Sequence, residues 1–176
     1  MSAVVTSDCV QRHEDLFRDY AQLVYRTAYG VTGTHEDAED VLQTIFLGLI
    51  RREVPPDLAR NAEAYFYRAA VNMSLNTIRS RRRQRLVDDD EALERAEPNN
   101  SKPLGSPELL HQELYDAIAE LNPDHAQILI LRYMHDKSDA EIAKMFGVSR
   151  GTIAVKLFRS RTRLRKLLRA RSGDTL

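Results

Sequence analysis

Little in this 176-residue chain could carry catalysis. Its histidines (His13, His35, His111, His125 and His135) are scattered, without the HExxH or paired-cysteine spacing that holds a metal. It contains no glycine-rich phosphate loop and no GxSxG nucleophile turn. We therefore expect no catalytic residue, no metal site, no cofactor and no enzymatic activity. The residues whose types and spacing do suggest chemistry are arginines, lysines and amides. Guanidinium and ammonium groups pair with phosphate, and amides and hydroxyls read base edges.

The first such set lies at 138–165, SDAEIAKMFGVSRGTIAVKLFRSRTRLR. Ser138 and Glu141 have the spacing of a capping box. Ile142, Ala143 and Phe146 share one helical face. Gly147 supplies a left-handed residue to end that helix, Val148 can plug the corner, and Ser149 can cap a second helix. The exposed side of the second helix carries Arg150, Thr152, Lys156 and Arg159, the layout of a helix-turn-helix. Two packed helices with a solvated basic face would give a similar pattern. The charge favours the first reading, because every charged residue from 150 to 171 is Arg or Lys, whereas a solvated face mixes signs.

The second set lies on a helix expected over 61–83. Tyr65, Arg68, Asn72, Asn76, Arg79 and Arg83 fall within about 80° of one another at helical pitch, and no acid lies on the stripe. It runs into RSRRRQR at 79–85. An ordinary wet face is the plain alternative. An aromatic for stacking, two amides and three arginines suit a nucleic-acid surface better.

Composition sets the frame for both. The chain is 43 % hydrophobic and 30 % charged, with zero formal net charge, as expected of a globular protein of one or two small domains. The charges are segregated: basic at 79–85 and 150–171, acidic at 88–97 (DDDEALERAE). The lone cysteine, Cys9, permits no internal disulfide and fits a reducing cytoplasm. The start carries no signal-peptide pattern, and no stretch approaches a membrane span. We expect a cytoplasmic protein without membrane insertion.

The elements that must hold these sets read as helices throughout, with no useful strand pattern. Residues 1–10 read as a tail. Leu16, Phe17, Tyr20, Leu23, Val24 and Ala28 give helical steps over 11–29, which GVTGT at 30–34 breaks. Thr34 can cap a helix over 35–52. Its apolar arc is Ala38, Val41, Leu42, Ile45, Phe46 and Leu49, and Leu47 lies on the other side with Asp40 and Gln43. That face is either a lone exposed leucine of no consequence or a partner-binding surface. Pro55-Pro56 makes 53–60 a loop, and Asn61 can cap the next helix, whose arc of Phe66, Tyr67, Ala70, Val71 and Ile78 faces inward.

Residues 87–105 read as a linker, and Ser106-Pro107 and Asn122-Pro123 as helix starts. Leu109, Leu110, Leu114, Ala117, Ile118 and Leu121 give one apolar face, and ILILRYM a buried run. Ile153, Leu157, Leu164 and Leu168 should face the core of the last helix, while Val155 and Phe158 can either pack or touch DNA. The fold class is all-α: two small helical domains, 11–86 and 106–171, joined by a flexible acidic linker, the second containing the helix-turn-helix and followed by a tail at 172–176.

Three stretches together carry a family resemblance: DAEDVLQTIFLGLIR (37–51), AYFYRAAVNMSLNTIRSRRR (64–83) and GVSRGTIAVKLFRSRTRLR (147–165). In order and separation the chain resembles an extracytoplasmic-function (ECF) sigma factor of bacterial RNA polymerase, over about 11–170. The resemblance implies that 11–86 is a region 2-like domain. Its helix at 37–51 would bind core polymerase through Asp37, Asp40, Gln43 and Leu47. Its helix at 64–83 would read and melt the −10 element through Tyr65, Arg68, Asn72, Asn76, Arg79, Arg82 and Arg83, with Asn72 near the extruded base. The region 4-like domain would read the −35 element through Ser149, Arg150, Thr152, Val155, Lys156 and Arg159.

The implied partners are RNA polymerase core and promoter DNA, with an anti-sigma factor as a further candidate. The sequence departs from the family pattern at Pro55-Pro56, at Asn76 where aspartate is common, and at Ala154-Val155-Lys156. An autonomous helix-turn-helix regulator that binds operators as a dimer is the alternative. It requires an apolar self-complementary face, and the first domain shows none clearly.

Overall fold

One long helix, Ala62–Ala92, serves two hydrophobic cores in the computed structural model. The structure describes residues 2–51, 55–92 and 107–171, and for 2–10, 86–92 and residue 108 it describes the backbone alone. In chain order the helices are α1 (Ser2–Thr32), α2 (His35–Ile50), α3 (Pro56–Arg60), α4 (Ala62–Ala92), α5 (Pro107–Ala119), α6 (Pro123–Tyr133), α7 (Asp139–Phe146) and α8 (Arg150–Arg171). Among the described residues no helix is long and apolar enough to cross a membrane.

The helix starts follow local chemistry. Thr34 accepts from the Asp37 N–H, Asn61 from that of Ala64, Asn122 from that of Asp124 and Ser149 from that of Thr152. Each satisfies a donor with no partner inside its helix. Ser138 and Glu141 form both halves of the capping box. Gly147 ends α7 at φ 64°, and its N–H reaches back to α7 carbonyls.

The first core gathers Val24 and Ala28 of α1, the α2 arc, Leu58 of α3, and Phe66 and Ala70 of α4. Phe66 stacks on Tyr20 at 4.7 Å and on Phe46 at 5.3 Å. The second core takes Val71, Leu75 and Ile78 from α4 and Val31 from α1, and packs them against α5 to α8. At 100° per residue, Phe66 and Ala70 point about 120° away from Val71, Leu75 and Ile78. The single broad inward arc expected on this helix is therefore two faces, each with its own core.

Through that second face the two halves share a core. Other differences are local. Residues 2–10, read as a tail, have helical backbone as the start of α1, and α1 passes Gly30 to end at Thr32. Residues 56–60 of the expected loop form α3, because Pro56 suits a first helical turn. Helix α4 continues through 87–92, the first part of the expected linker. The rest of that linker and the 172–176 tail lie outside the described residues.

Leu110 and Leu114 are exposed although they share a helical face with the buried Ala117 and Ile118, because they lie on earlier turns of α5 and burial is confined to its end, residues 116–119. Val148 is 37 % exposed and does not plug the turn; the α7–α8 corner closes on Ile142, Ala143, Ile153 and Leu157.

Candidate nucleic-acid and polymerase interfaces

Helix α8 is held by Ile153, Leu157 and Ser160, all buried. The opposite side projects into solvent. Val155 lies at its centre, 50 % exposed, with Thr152, Arg159 and Phe158 (65 % exposed) around it. Ser149 is exposed at the helix start, where its Oγ accepts from the Thr152 N–H at 3.1 Å and lies 2.9 Å from the Thr152 hydroxyl. Arg150 is exposed beside it.

Lys156 sits at the rim: it is half-buried, and its Nζ donates to Asp124 Oδ2 at 3.1 Å. Nearby His125 is held below its ordinary value, first by burial and then by the Lys156 charge. Five of the six −35 candidates are thus exposed: Thr152, Val155 and Arg159 share the face opposite the core, Ser149 and Arg150 lie at the helix start, and Lys156 is turned partly aside. Phe158, left open by the sequence, belongs to the open face.

The α4 stripe is placed differently. Asn72, Asn76 and Arg83 are exposed, and Tyr65, Arg68, Arg79 and Arg82 are half-buried. Tyr65 meets Phe66 edge-on, and Arg68 reaches Asp57 of α3 at 3.6 Å. Arg79 Nη1 donates to Asn76 at 2.9 Å while its Nε donates to the Ala119 carbonyl at 2.8 Å. Arg82 pairs with Glu120, and Asn72 Oδ1 accepts from Gln127 Nε2 at 2.6 Å. Glu120 also pairs with Arg171 at 2.7 Å. Burial would raise its pKa, but the two guanidinium groups outweigh that and hold it below the usual carboxylate value.

Arg81 and Arg85, which the periodicity did not select, pair with Asp37 and Asp116. The available signal was the whole arginine block facing Asp116 and Glu120, two acids one helical turn apart.

On α2, Asp40, Gln43 and Leu47 lie together and exposed. Asp37 does not join them. It is 7 % exposed; its Oδ2 accepts from the Thr34 hydroxyl at 2.8 Å, and its carboxylate also pairs with Arg81. A carboxylate three residues after the cap is drawn back onto the helix start, so Asp37 is a structural group and not part of an open contact surface.

The surface extends instead to Ile50, 62 % exposed, which borders an apolar groove of about 360 Å³ with His13, Glu14, Phe17 and Phe46. Phe17 packs edge-on to Phe46 at 4.9 Å. Sequence periodicity placed Phe17 inside; the end of α2 leaves it half open.

The chain matches sigma-70 region 2 over residues 16–84 and sigma-70 region 4 over residues 111–164. It is 31 % identical over 144 residues to the ECF RNA polymerase sigma factor SigL of Mycobacterium tuberculosis, covering 81 % of this chain and 80 % of that one. It is 30 % identical over 156 residues to the RNA polymerase sigma factor CarQ of Myxococcus xanthus, covering 88 % of each.

Against the ECF sigma factor SigE of Mycolicibacterium smegmatis, 30 % identity extends over 92 % of this chain, which spans 63 % of that protein's length. A solved structure of the sigma factor RpoE with the anti-sigma factor NepR from Bartonella quintana is similar at a TM-score of 0.46 and 22 % identity, covering 89 % of this chain and 96 % of that one. By these matches the chain belongs to the ECF sigma factors, proteins built from sigma-70 regions 2 and 4 that direct RNA polymerase at transcription initiation and are not themselves enzymes.

Proposed function

We propose that this chain binds RNA polymerase core through α2 and places two DNA-reading surfaces on a promoter, α4 at the −10 element and α8 at the −35 element. The open face of α8 carries this reading. The capped helix start, the Ser149 and Thr152 hydroxyls and the Arg150 and Arg159 guanidinium groups are all exposed, with no acid between 150 and 171. Aligned N–H groups at that helix start favour phosphate, and the side chains behind it can reach base edges in a major groove. Val155, at the centre of the face, suits the methyl group of a thymine.

On α2, Asp40 and Gln43 offer polar contacts around Leu47, whose exposure is 47 %. The α4 stripe supplies amides and arginines for a strand whose bases are turned outward. Weak readers on one chain gain affinity from each other through effective concentration.

The test is run-off transcription from genomic fragments with core polymerase alone and with core plus this chain. Discrete products are expected only with both. Arg150→Ala should alter which upstream sequences are used, whereas Arg83→Ala should weaken all promoters alike and reduce the salt dependence. Core that yields the same products with and without the chain would overturn the reading.

A further inference from the structure

We infer that the cavity bounded by the α1–α2 turn, α4 and α5 is a binding site for a small aromatic phosphate, a planar ring carrying a phosphate group, of which a mononucleotide is one kind. The site shares no residue with the surfaces assigned above to polymerase or DNA. Past Ile78, α4 and α5 part beside the α1–α2 turn and leave about 520 Å³. Small-ligand sites occupy roughly 300–1,000 Å³.

Arg81 and Arg85 line this cavity one helical turn apart on α4. Each is steadied by one carboxylate. Asp37 pairs with Nη1 of Arg81, and both oxygens of Asp116 accept from Nη2 of Arg85, at 2.9 and 3.2 Å. The two acid side chains are 10 and 12 % exposed, whereas each arginine side chain is 42 % exposed. The anions therefore lie behind and the cations in front. A guanidinium group has five N–H donors, so each arginine keeps donors for a ligand. Three phosphate oxygens can be shared between two such groups, while a carboxylate is matched by one.

The remaining walls suit a ring. Tyr29 is exposed at the edge of the cavity, stacked on His35 at 4.6 Å, and on α5 the rings of His111 and Tyr115 pack at 4.5 Å. His111 Nε2 is buried and has no hydrogen-bond partner among the described residues. Buried polar atoms are nearly always paired, so an unmet nitrogen in a cavity wall is a place for a ligand oxygen, reached by a small turn of the ring. Gly33, at φ 78°, lets the α1–α2 turn pass close to this ring, since a Cβ there would lie 3.2 Å from Nε2. Because the walls come from both halves of the chain, a bound ligand adds its binding free energy to the stability of the whole fold.

The experiment titrates the full chain calorimetrically with phenyl phosphate, adenosine monophosphate, inorganic phosphate and phenol. We expect the two esters to bind at one site per chain, at least ten-fold more tightly than inorganic phosphate or phenol, and to raise the thermal midpoint at saturation. The preference between the esters distinguishes a nucleotide site from one for a smaller ring. Arg85→Gln should weaken ester binding about ten-fold, and Tyr29→Ala severalfold. His111→Phe removes the unmet nitrogen, so the ligand-free chain should be at least as stable while ester binding falls severalfold, a split that a packing role alone would not give. Arg12→Gln removes the same charge at an exposed position of α1 and should leave ester binding unchanged. Esters that bind no more tightly than inorganic phosphate or phenol would overturn the inference. So would equal weakening by Arg12→Gln, or undiminished binding in both Arg85→Gln and His111→Phe.

Discussion

Asp37 and Asp40 lie three residues apart on α2, and replacing each by alanine should have opposite consequences. The Asp37 carboxylate accepts the Thr34 hydroxyl at 2.8 Å and pairs with Arg81, and its side chain is 10 % exposed. A hydrogen bond to a charged group contributes about 1.5–3 kcal/mol. Arg81, with 42 % of its side chain exposed, can rehydrate once released, so its share belongs at the low end. Thr34 still accepts from the backbone of α2. Asp37→Ala should therefore cost about 2 kcal/mol. With a urea slope of roughly 2 kcal/mol/M, the unfolding midpoint falls by about 1 M.

Asp40 is exposed and should change stability by less than about 0.5 kcal/mol, while its loss weakens binding to polymerase core. Urea denaturation followed by circular dichroism gives the first quantity, and titration of labelled chain with core gives the second. If Asp37→Ala leaves the midpoint unmoved, or if Asp40→Ala moves it by as much, the division between a structural and a contact carboxylate is wrong.

Three further outcomes can be checked. Gly147→Ala should cost about 1–2 kcal/mol by thermal unfolding, from its left-handed backbone alone, because a Cβ there meets no atom within 4 Å. Phe158→Ala should leave stability within about 0.5 kcal/mol and weaken binding of holoenzyme to the upstream element severalfold in a filter or mobility assay; unchanged binding would remove Phe158 from that face. His135, whose Nε2 is buried without a hydrogen-bond partner, is held below its ordinary value of 6.5, by burial first and then by the Lys137 charge, with Asp136 opposing. The unfolded chain then takes up its proton first, so stability should fall as pH drops through about 6.5 toward 5. His135→Gln should flatten that part of a urea-midpoint profile.

Much of the molecule was legible because its signals are local. The caps at Thr34, Asn61, Asn122, Ser138 and Ser149 each depend on a few neighbouring residues, and so does the Gly147 turn. The α2 arc and its outlier Leu47 follow from one helical period. What was not legible depends on residues far apart in the chain. Periodicity ranks Asp37 with Asp40, and only Arg81, 44 positions later, pulls the first inward. It also merges Val71 and Ile78 with Phe66, because an apolar residue does not say which neighbour it meets. Leu110 and Leu114 fit the α5 pattern, yet only the end of α5, residues 116–119, is covered by the rest of the fold, and periodicity does not say how far along a helix its cover extends. The polar stripe of α4 was legible, but not what meets it, since Gln127 and Glu120 carry no short-range mark of their partners.

The double use of α4 has a consequence for how such a chain can be tuned. The residues that pack the second core (Val71, Leu75 and Ile78) alternate along the helix with those that carry its polar stripe (Asn72, Asn76 and Arg79). Separating the halves exposes three aliphatic side chains at about 1.5–3 kcal/mol each if nothing replaces their cover, and it releases Asn72 from Gln127 and Arg79 from the Ala119 carbonyl at the same moment. Apolar packing sets how much free energy a partner must supply, while the polar contacts set what can compete for the stripe. Leu75→Ala should therefore ease opening without altering DNA preference, and Asn72→Ala should alter DNA contact with a much smaller effect on opening. The two quantities can vary independently even though their residues are neighbours, because successive positions on a helix point about 100° apart.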